Sequence, residues 1–404
     1  MSFEWIYKRA VELESELKRW RRFLHQNAEV GFDLDKTATY VKNELEKMGL
    51  EPEICGKCGL VVTICGNKCE EGSKCTLLRA DMDALPITEE TELDFKSING
   101  CMHACGHDMH TAMLLGCAKI LSESKDKFSS KIKLMFQGAE ETLNGAKSMI
   151  ENGVLENPSV DFGAMIHVLT DTNLDTGSAI FAKPGVSAPS SDFFRITING
   201  KSSHGGMPEK SIDPIIPCAH IILGIESLIS HENANSDGVV TALGEVHSGS
   251  APNIISSTAK MTGTMRAYNE ETRCFLKERL GEIAKYYSKA HNAEGFLEFT
   301  SGCPTLVNDS KLVECGVATI NKLYSKVGVT PSVLSSESFG SRSSASEDFA
   351  YISHKIPSVM VGLCAGKSSD GYSFPLHHQK ASFDESALVY GVTIYSALGI
   401  CFTE

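Results

Sequence analysis

The ten residues from Cys101 to His110, CMHACGHDMH, hold three histidines, two cysteines and an aspartate. Thiolate and imidazole are the donors zinc prefers, and Cys105 and His107, two apart on a turn, can aim at one point. A single pair of this kind is more often simply buried, and so short a segment encloses no ion alone. Further donors are needed from elsewhere. Glu140 and Glu141 follow directly on the apolar run KIKLMFQ, His167 ends FGAMIH, Asp81 and Asp83 close LLRADMD, and His377 stands in PLHH. Adjacent carboxylates are usually solvated, but strand-end groups that are all His, Cys or carboxylate argue together for one convergent site. About five protein ligands with one bridging group would satisfy two divalent ions and leave positions open for water. One of the paired glutamates could bind metal while the other, diverging from it in the turn, acts as general base.

The elements that must position these groups are legible in the hydrophobic pattern. Apolar residues at Tyr40, Val41, Leu45 and Met48, with Gly49 as a stop, predict an amphipathic helix over Thr37–Met48. Short apolar runs at GLVVTIC and CTLLRADM precede the Cys/His segment. The nearly all-apolar HTAMLLGCAKILSES after it reads as a buried helix, with Asp108 placed to cap it. Strands alternating with helices predict an α/β fold with helices on both faces of a central mixed sheet, whose C-terminal strand edge is where such sheets place their sites. The Pro/Gly/Ser-rich stretch Ala182–Asp192 is suited to a hinge. After it, strands and helices follow in β-α-β-β-α-β order, as in a small two-layer α+β domain, before the first pattern resumes near Pro304. The expected organisation is a catalytic domain over 1–185 and 303–404, interrupted by a smaller α+β lid or dimerisation domain over 186–302. The serine-rich Ser335–Asp348 reads as a flexible loop.

Bulk properties bound the function. A chain of 404 residues exceeds what one hydrophobic core usually supports. Its formal net charge of −13 disfavours nucleic acid and anionic membrane as partners. The N-terminal stretch is a charged amphipathic helix rather than a signal peptide, and no uninterrupted apolar run approaches the ~18 residues of a membrane span, so a cytoplasmic location is expected. Fourteen cysteines in so long a chain fit free thiols in a reducing compartment. Cys55, Cys58, Cys65 and Cys69 hint at a further zinc, but Leu60–Ile64 between them looks like a strand.

The segments MHACGHDMHTAMLLG, LRADMDALPI, AEE, IHV and GKSSHGGMPEKSIDP, with FLHQNAEVGF, SEDFAYI and LHHQKASFDE, resemble the aminoacylase/carboxypeptidase group of dinuclear metal amidohydrolases over nearly the whole chain. Hippurate hydrolases, N-acyl-amino-acid deacylases and auxin-conjugate hydrolases belong to it. The resemblance implies that Cys105 bridges two ions and that His107, Glu141, His167 and His377 complete the sites. Glu140 would be the general base, Asp81 would support the metal site, and Asp83 would do so less directly. His103 and His110 belong to the motif without being ligands. His204 would stabilise the developing oxyanion, often across a dimer interface, and Asn253 and Arg266 would contact substrate. On its residue type alone Arg266 is an exposed strand arginine. The implied cofactors are two divalent ions per chain, zinc foremost, with manganese, cobalt or nickel as alternatives. The implied partners are a small N-acyl-amino acid or short peptide and a second copy of the chain.

Three departures from the group's pattern stand out. Residues 202–206 read SSHGG, Gly138 occupies a position where proline is common, and no proline follows His377, which leaves His378 as a competing ligand although the alignment of FDE favours His377. A carboxypeptidase or dipeptidase would use the same groups. A Cys105 nucleophile activated by His107 would explain neither the paired glutamates nor His167. A non-enzymatic metal-binding module would be expected to have lost the base or a ligand, and every one is present.

Overall fold

A computed structural model describes residues 3–232, 238–335 and 345–403. Of the serine-rich segment, 336–344 lie outside the described residues. The chain divides into two compact units, one formed by 1–187, 307–342 and 348–404, the other by 188–306 and 343–347.

The first unit is built on an eight-stranded mixed sheet. Its order is Glu53–Cys55, Gly59–Cys65, Lys131–Gln137, Cys75–Asp81, Phe162–Leu169, Ser358–Cys364, Ala179–Phe181 and Val333–Ser335. The four middle strands are parallel, with Asp81 opposite Gln137 and His167 opposite Gly362. Strands buried on both faces need continuous apolar sequence, and Cys75–Asp81 is buried at every position. The register matters for function: Asp81, Glu140 and His167 all come from the C-terminal ends of neighbouring parallel strands.

Helix His107–Glu123 is buried along nearly its whole length and packs with helix Ala387–Cys401 in one core. Asp108 does not cap it. The cap position is Gly106, at φ 84°, and Asp108 is turned inward to receive Arg21 Nε at 3.0 Å and His25 Nδ1 at 2.9 Å. A buried carboxylate beside a guanidinium gains more from that pair than from a backbone amide. The N-terminal stretch is two helices, Glu4–Glu12 and Glu14–Gln26, and the next helix spans Asp35–Lys47.

The second unit carries a four-stranded antiparallel sheet in the order Val240–Ser248, Thr258–Ala267, Ser190–Asn199, Glu294–Cys303. Helices Ile215–Ser227 and Glu270–Ala290 complete the β-α-β-β-α-β sequence. Phe194, Ile196, Ile198, Ile221, Met261 and Leu280 form its separate core. Most of the stretch expected to be a hinge is strand, Gly185–Ala188 and then Ser190–Asn199. The Ser190 hydroxyl donates to the Ala267 carbonyl and accepts from the Ala267 amide, which fastens the start of the second strand. The helical stretch Ile215–Glu232 is long and apolar enough to cross a membrane by length and composition. Cys218, Ile221 and Ile225 on it face the unit's core, whereas Ile215, Ile216 and Leu223 are exposed.

All fourteen cysteines are free, and Cys55, Cys58, Cys65 and Cys69 form no metal-competent group among the described residues.

Glu44 clamps the second and third helices together, accepting from Trp20 Nε1 at 2.6 Å, Arg19 at 2.9 Å and Lys47 at 2.6 Å. Burial opposes its ionisation, but bonds from Arg19, Lys47 and Trp20 outweigh burial and bring it down to about 2. A depressed carboxyl stabilises the fold above its unfolded value of ~4.3, and the contribution is lost as pH falls toward 2. Because Arg19 and Lys47 are exposed, Glu44→Gln should cost only about 1–2 kcal/mol at neutral pH. Urea titrations of parent and variant should show that gap narrowing as pH is lowered below about 4; a gap constant with pH would mean the charge of Glu44 contributes nothing.

Candidate metal centre

The turn after Gln137 aims the paired glutamates. Ala139 sits at φ 59°, a left-handed conformation that L-residues adopt at some cost, and sends Glu140 and Glu141 in different directions. Gly138 serves close packing: a Cβ there would stand 2.5 Å from Cys58 Sγ and 2.6 Å from Leu34 Cδ1. Asp83 holds the turn, its Oδ1 accepting from the Glu140 amide at 3.0 Å and its Oδ2 from the Glu141 amide at 3.1 Å. The sequence ranked Asp83 below Asp81, yet Asp83 grips both glutamates and also receives His107 Nδ1 on its carbonyl at 2.8 Å.

The donor atoms form two groups that share one atom. Cys105, His107 and His167 make one, and Cys105, Glu141 and His377 the other, each gathered within 4.8 Å. Cys105 Sγ lies 3.5 Å from His167 Nε2 and 3.2 Å from His377 Nε2. Glu141 Oε1 stands 3.4 Å from His377 Nε2 and 3.9 Å from His107 Nε2. Metal bonds of ~2.0–2.3 Å at tetrahedral angles separate neighbouring ligand atoms by about 3.3–3.7 Å, so these spacings fit. The tautomers fit as well. His107 gives its Nδ1 proton to the Asp83 carbonyl and His167 gives its own to the Val168 carbonyl at 2.7 Å, which turns both Nε2 atoms to the centre. His107 Nε2 and Glu141 Oε1 are buried with no hydrogen-bond partner among the described residues. A divalent ion satisfies such atoms.

The competing histidines are accounted for. His377 stands at φ 64°, and its amide donates to the Ala104 carbonyl, so it is seated beside Cys105. His378 instead stacks on Phe374, with its Nδ1 accepting from Lys380. His110 uses both nitrogens, donating from Nδ1 to Asp81 at 2.6 Å and accepting the Val168 amide on Nε2 at 2.8 Å. His103 is fully buried away from the donor set, and burial pushes it down to about 3. Of the three histidines in the opening motif, only His107 points at the centre.

Asp81 reaches the centre indirectly. Its Oδ2 is 3.7 Å from His107 Nε2 and receives Arg79 at 2.6 Å. Burial favours its neutral form, but Arg79, His107 and His110 hold it well below the usual carboxylate range. Arg79 and Asp348 play no part in the sequence-derived site, although an arginine inside the apolar run LLRAD demands a buried partner and so signals one.

In the second unit, His204 and Asn253 are brought together. The Gly205 amide donates to the Asn253 carbonyl at 2.7 Å, and Ile254 pairs with His204 across a short two-stranded ladder. The Gly206 amide donates to His204 Nδ1 at 3.0 Å, so neutral His204 carries its proton on Nε2. Arg266, on strand Thr258–Ala267, donates to Ser346 at 3.0 Å and is half-buried rather than exposed.

An open α/β sheet bearing convergent His, Cys and carboxylate donors at its C-terminal strand edge, with a spare glutamate beside them, defines a metal-dependent hydrolase. The chain belongs to Peptidase family M20/M25/M40, whose model matches residues 77–399. It is 33% identical over 97% of its length to thermostable carboxypeptidase 2 of Saccharolobus solfataricus, 97% of which is covered. It is 31% identical to N-acetylcysteine deacetylase of Bacillus subtilis, over 96% of this chain and 97% of that one. A solved Bacillus subtilis structure described as a dinuclear metal binding peptidase of the M20 family superposes with a TM-score of 0.76 at 28% identity, over 97% of this chain and 99% of that one. The chain is accordingly a metal-dependent amidohydrolase.

Metal uptake has a calculable pH dependence. Burial pushes Glu141 up to about 7 and lifts the Cys105 thiol far above neutrality, while Asp81 and Asp83 raise His107 against the opposing effect of burial. A ligand whose pKa is raised holds its proton until metal displaces it, so affinity falls as pH falls. Chelator competition between pH 8 and 6 should show about a tenfold loss per pH unit for each proton displaced. An affinity independent of pH over that range would remove Cys105 and Glu141 from the ligand set.

Proposed function

We propose that the chain hydrolyses the amide bond joining an acyl group to an amino acid, in the manner of an aminoacylase or hippurate hydrolase. The observation that carries this reading is the pair of donor groups sharing Cys105 with Glu140 beside them: Glu140 shares a further donor group with His107 and Glu141, yet belongs to neither of the two that meet at Cys105. Two ions per chain are proposed, zinc foremost, with manganese, cobalt or nickel suited to the same donors. When bound, they supply Lewis-acid polarisation of the scissile carbonyl and acidify water toward a pKa of ~7. Glu140, largely buried and with its amide anchored on Asp83, takes a proton from the attacking water and delivers it to the leaving amine. His204 donates its Nε2 proton to the oxyanion that develops on the substrate. Arg266 and Asn253 hold the amino-acid end, a guanidinium pairing with a carboxylate. The burial that raises the Cys105 thiol argues against a cysteine nucleophile, which needs a depressed pKa.

A carboxypeptidase reading is favoured by the likeness to the thermostable carboxypeptidase 2 named above. The chemistry is shared, and only the group beyond the scissile bond differs. A homodimer is proposed from the second unit: strand Val240–Ser248 is a sheet edge with exposed Val240 and Val246, and Leu223 is 67% exposed on its apolar helix. A cytoplasmic location is proposed from the fourteen free thiols.

Glu140→Gln keeps shape and loses the base. Turnover of N-acetyl-methionine or hippurate should fall by at least about 10²–10⁴-fold, with metal content per chain unchanged. A near-normal rate in that variant would sink the assignment. A parallel panel of N-acetyl amino acids and dipeptides separates the deacylase from the dipeptidase, the faster class by kcat/KM deciding between them.

A further inference from the structure

Behind the metal centre lies a buried charge relay that neither ligand group includes. Arg79, Asp81, Gln137 and Asp348 are all fully buried. Arg79 spans two carboxylates, donating to Asp81 Oδ2 at 2.6 Å and to Asp348 Oδ1 at 2.9 Å, with its Nε on Gln137 Oε1 at 3.0 Å. Asp348 is satisfied four times over: besides Arg79, it accepts Gln137 Nε2 on both oxygens at 2.8 and 2.9 Å and the Ala146 amide at 2.9 Å. Asp81 Oδ2, the oxygen that accepts from Arg79, itself stands 3.7 Å from His107 Nε2, and Oδ1 accepts from His110 Nδ1 at 2.6 Å.

The charges of this cluster do not cancel. Arg79, Asp81 and Asp348 together carry net −1 in a dry interior, and the buried Glu140 carboxylate within 4.8 Å of Asp348 adds to it; unbalanced charge there is expensive unless something of opposite sign stands close. Were Arg79 paired with Asp81 alone, that pair would be neutral and would offer the centre nothing. Asp348 takes the other side of the guanidinium, so its positive charge is divided between two carboxylates and Asp81 keeps part of its negative charge toward the metal-binding atoms.

We propose that Asp348 is a positioning residue for the metal centre, acting through Arg79: by balancing the guanidinium it keeps Asp81 negative toward His107 and strengthens retention of divalent cations. This rests on the dinuclear reading above. Asp348 also lies within 4.8 Å of the Glu140 carboxylate, so its loss would alter the base as well, and metal affinity rather than rate is the informative readout.

The test is charge bookkeeping by substitution, read as metal affinity in chelator competition and as kcat and KM. Asp348→Asn keeps shape and brings the cluster to neutrality; affinity for zinc should fall by about 10–100-fold. Adding Arg79→Met to it restores net −1 and should recover affinity to within a few-fold of the parent, although the second substitution removes more hydrogen bonds. Additive loss in the double variant would overturn the proposal, because a purely structural role predicts further damage. Should Asp348→Asn not fold, Arg79→Met alone, at net −2, carries the test: zinc held at least as tightly as by the parent supports the charge role, and weaker binding overturns it. A parent chain that takes up no divalent metal overturns this inference and the dinuclear reading together. A parent that binds metal while the variants fail to order by charge overturns this inference alone.

Discussion

Lone pairs turned toward one another in a buried space repel, and the interior of the first unit is arranged around such a meeting. Cys105 Sγ, the Nε2 atoms of His107, His167 and His377, and a Glu141 oxygen crowd within 3.2–3.9 Å along the measured edges. A divalent ion, or the protons that burial keeps on Cys105 and Glu141, makes that arrangement favourable, and the surrounding polar network fixes which atoms face it. The Asp83 and Val168 carbonyls take the Nδ1 protons of two histidines. Asp83 also occupies the amides of both glutamates, so the turn that presents a ligand and a base is fixed by the residue that fixes His107. One residue, through its side chain and its carbonyl, thereby sets the relative placement of three functional groups.

Two of the groups are presented from left-handed backbone. Ala139 and His377 lie at φ 59° and 64°, a region costing on the order of 1–2 kcal/mol for residues with a Cβ. The surroundings over-determine both. His377 is tied to Ala104, one residue from Cys105, and the turn at Ala139 is closed by bonds from the Asn144 and Gly145 amides to its carbonyl. A rigid presentation of this kind holds ligand geometry through a catalytic cycle, where a relaxed loop would let the donors part once the ion left.

How much of this was readable in advance follows from what periodicity encodes. Strands and helices of both units, and the donors Cys105, His107, Glu141 and His167, were legible because each donor ends an apolar run or opens a helix. The choice between His377 and His378 was not, since it turns on a backbone dihedral and an amide reaching Ala104. Asp108 was misread as a cap because its partners Arg21 and His25 are far away in sequence. The same blindness ranked Asp81 over Asp83: both end one strand, and only the fold reveals which of them meets the turn after the next. Asp348 was hidden for the opposite reason, its serine-rich neighbourhood suggesting a loop with no fixed partner.

The buried polar network also explains why the two carboxylates of one strand end take different work. Asp83 is used up on backbone amides and a metal-facing histidine, so its charge stabilises a turn. Asp81 is held by Arg79 and His110, whose own opposite side carries the Val168 amide next to the ligand His167. A displacement at Asp81 is therefore felt at His107 directly and at His167 through His110, on both histidines of one ligand group. The other group, Glu141 and His377, is anchored through Asp83 and Ala104 instead. The two anchoring systems converge on the shared sulfur of Cys105 and are joined at Asp83, which takes both His107 Nδ1 and the Glu141 amide, so neither ligand group shifts without the other.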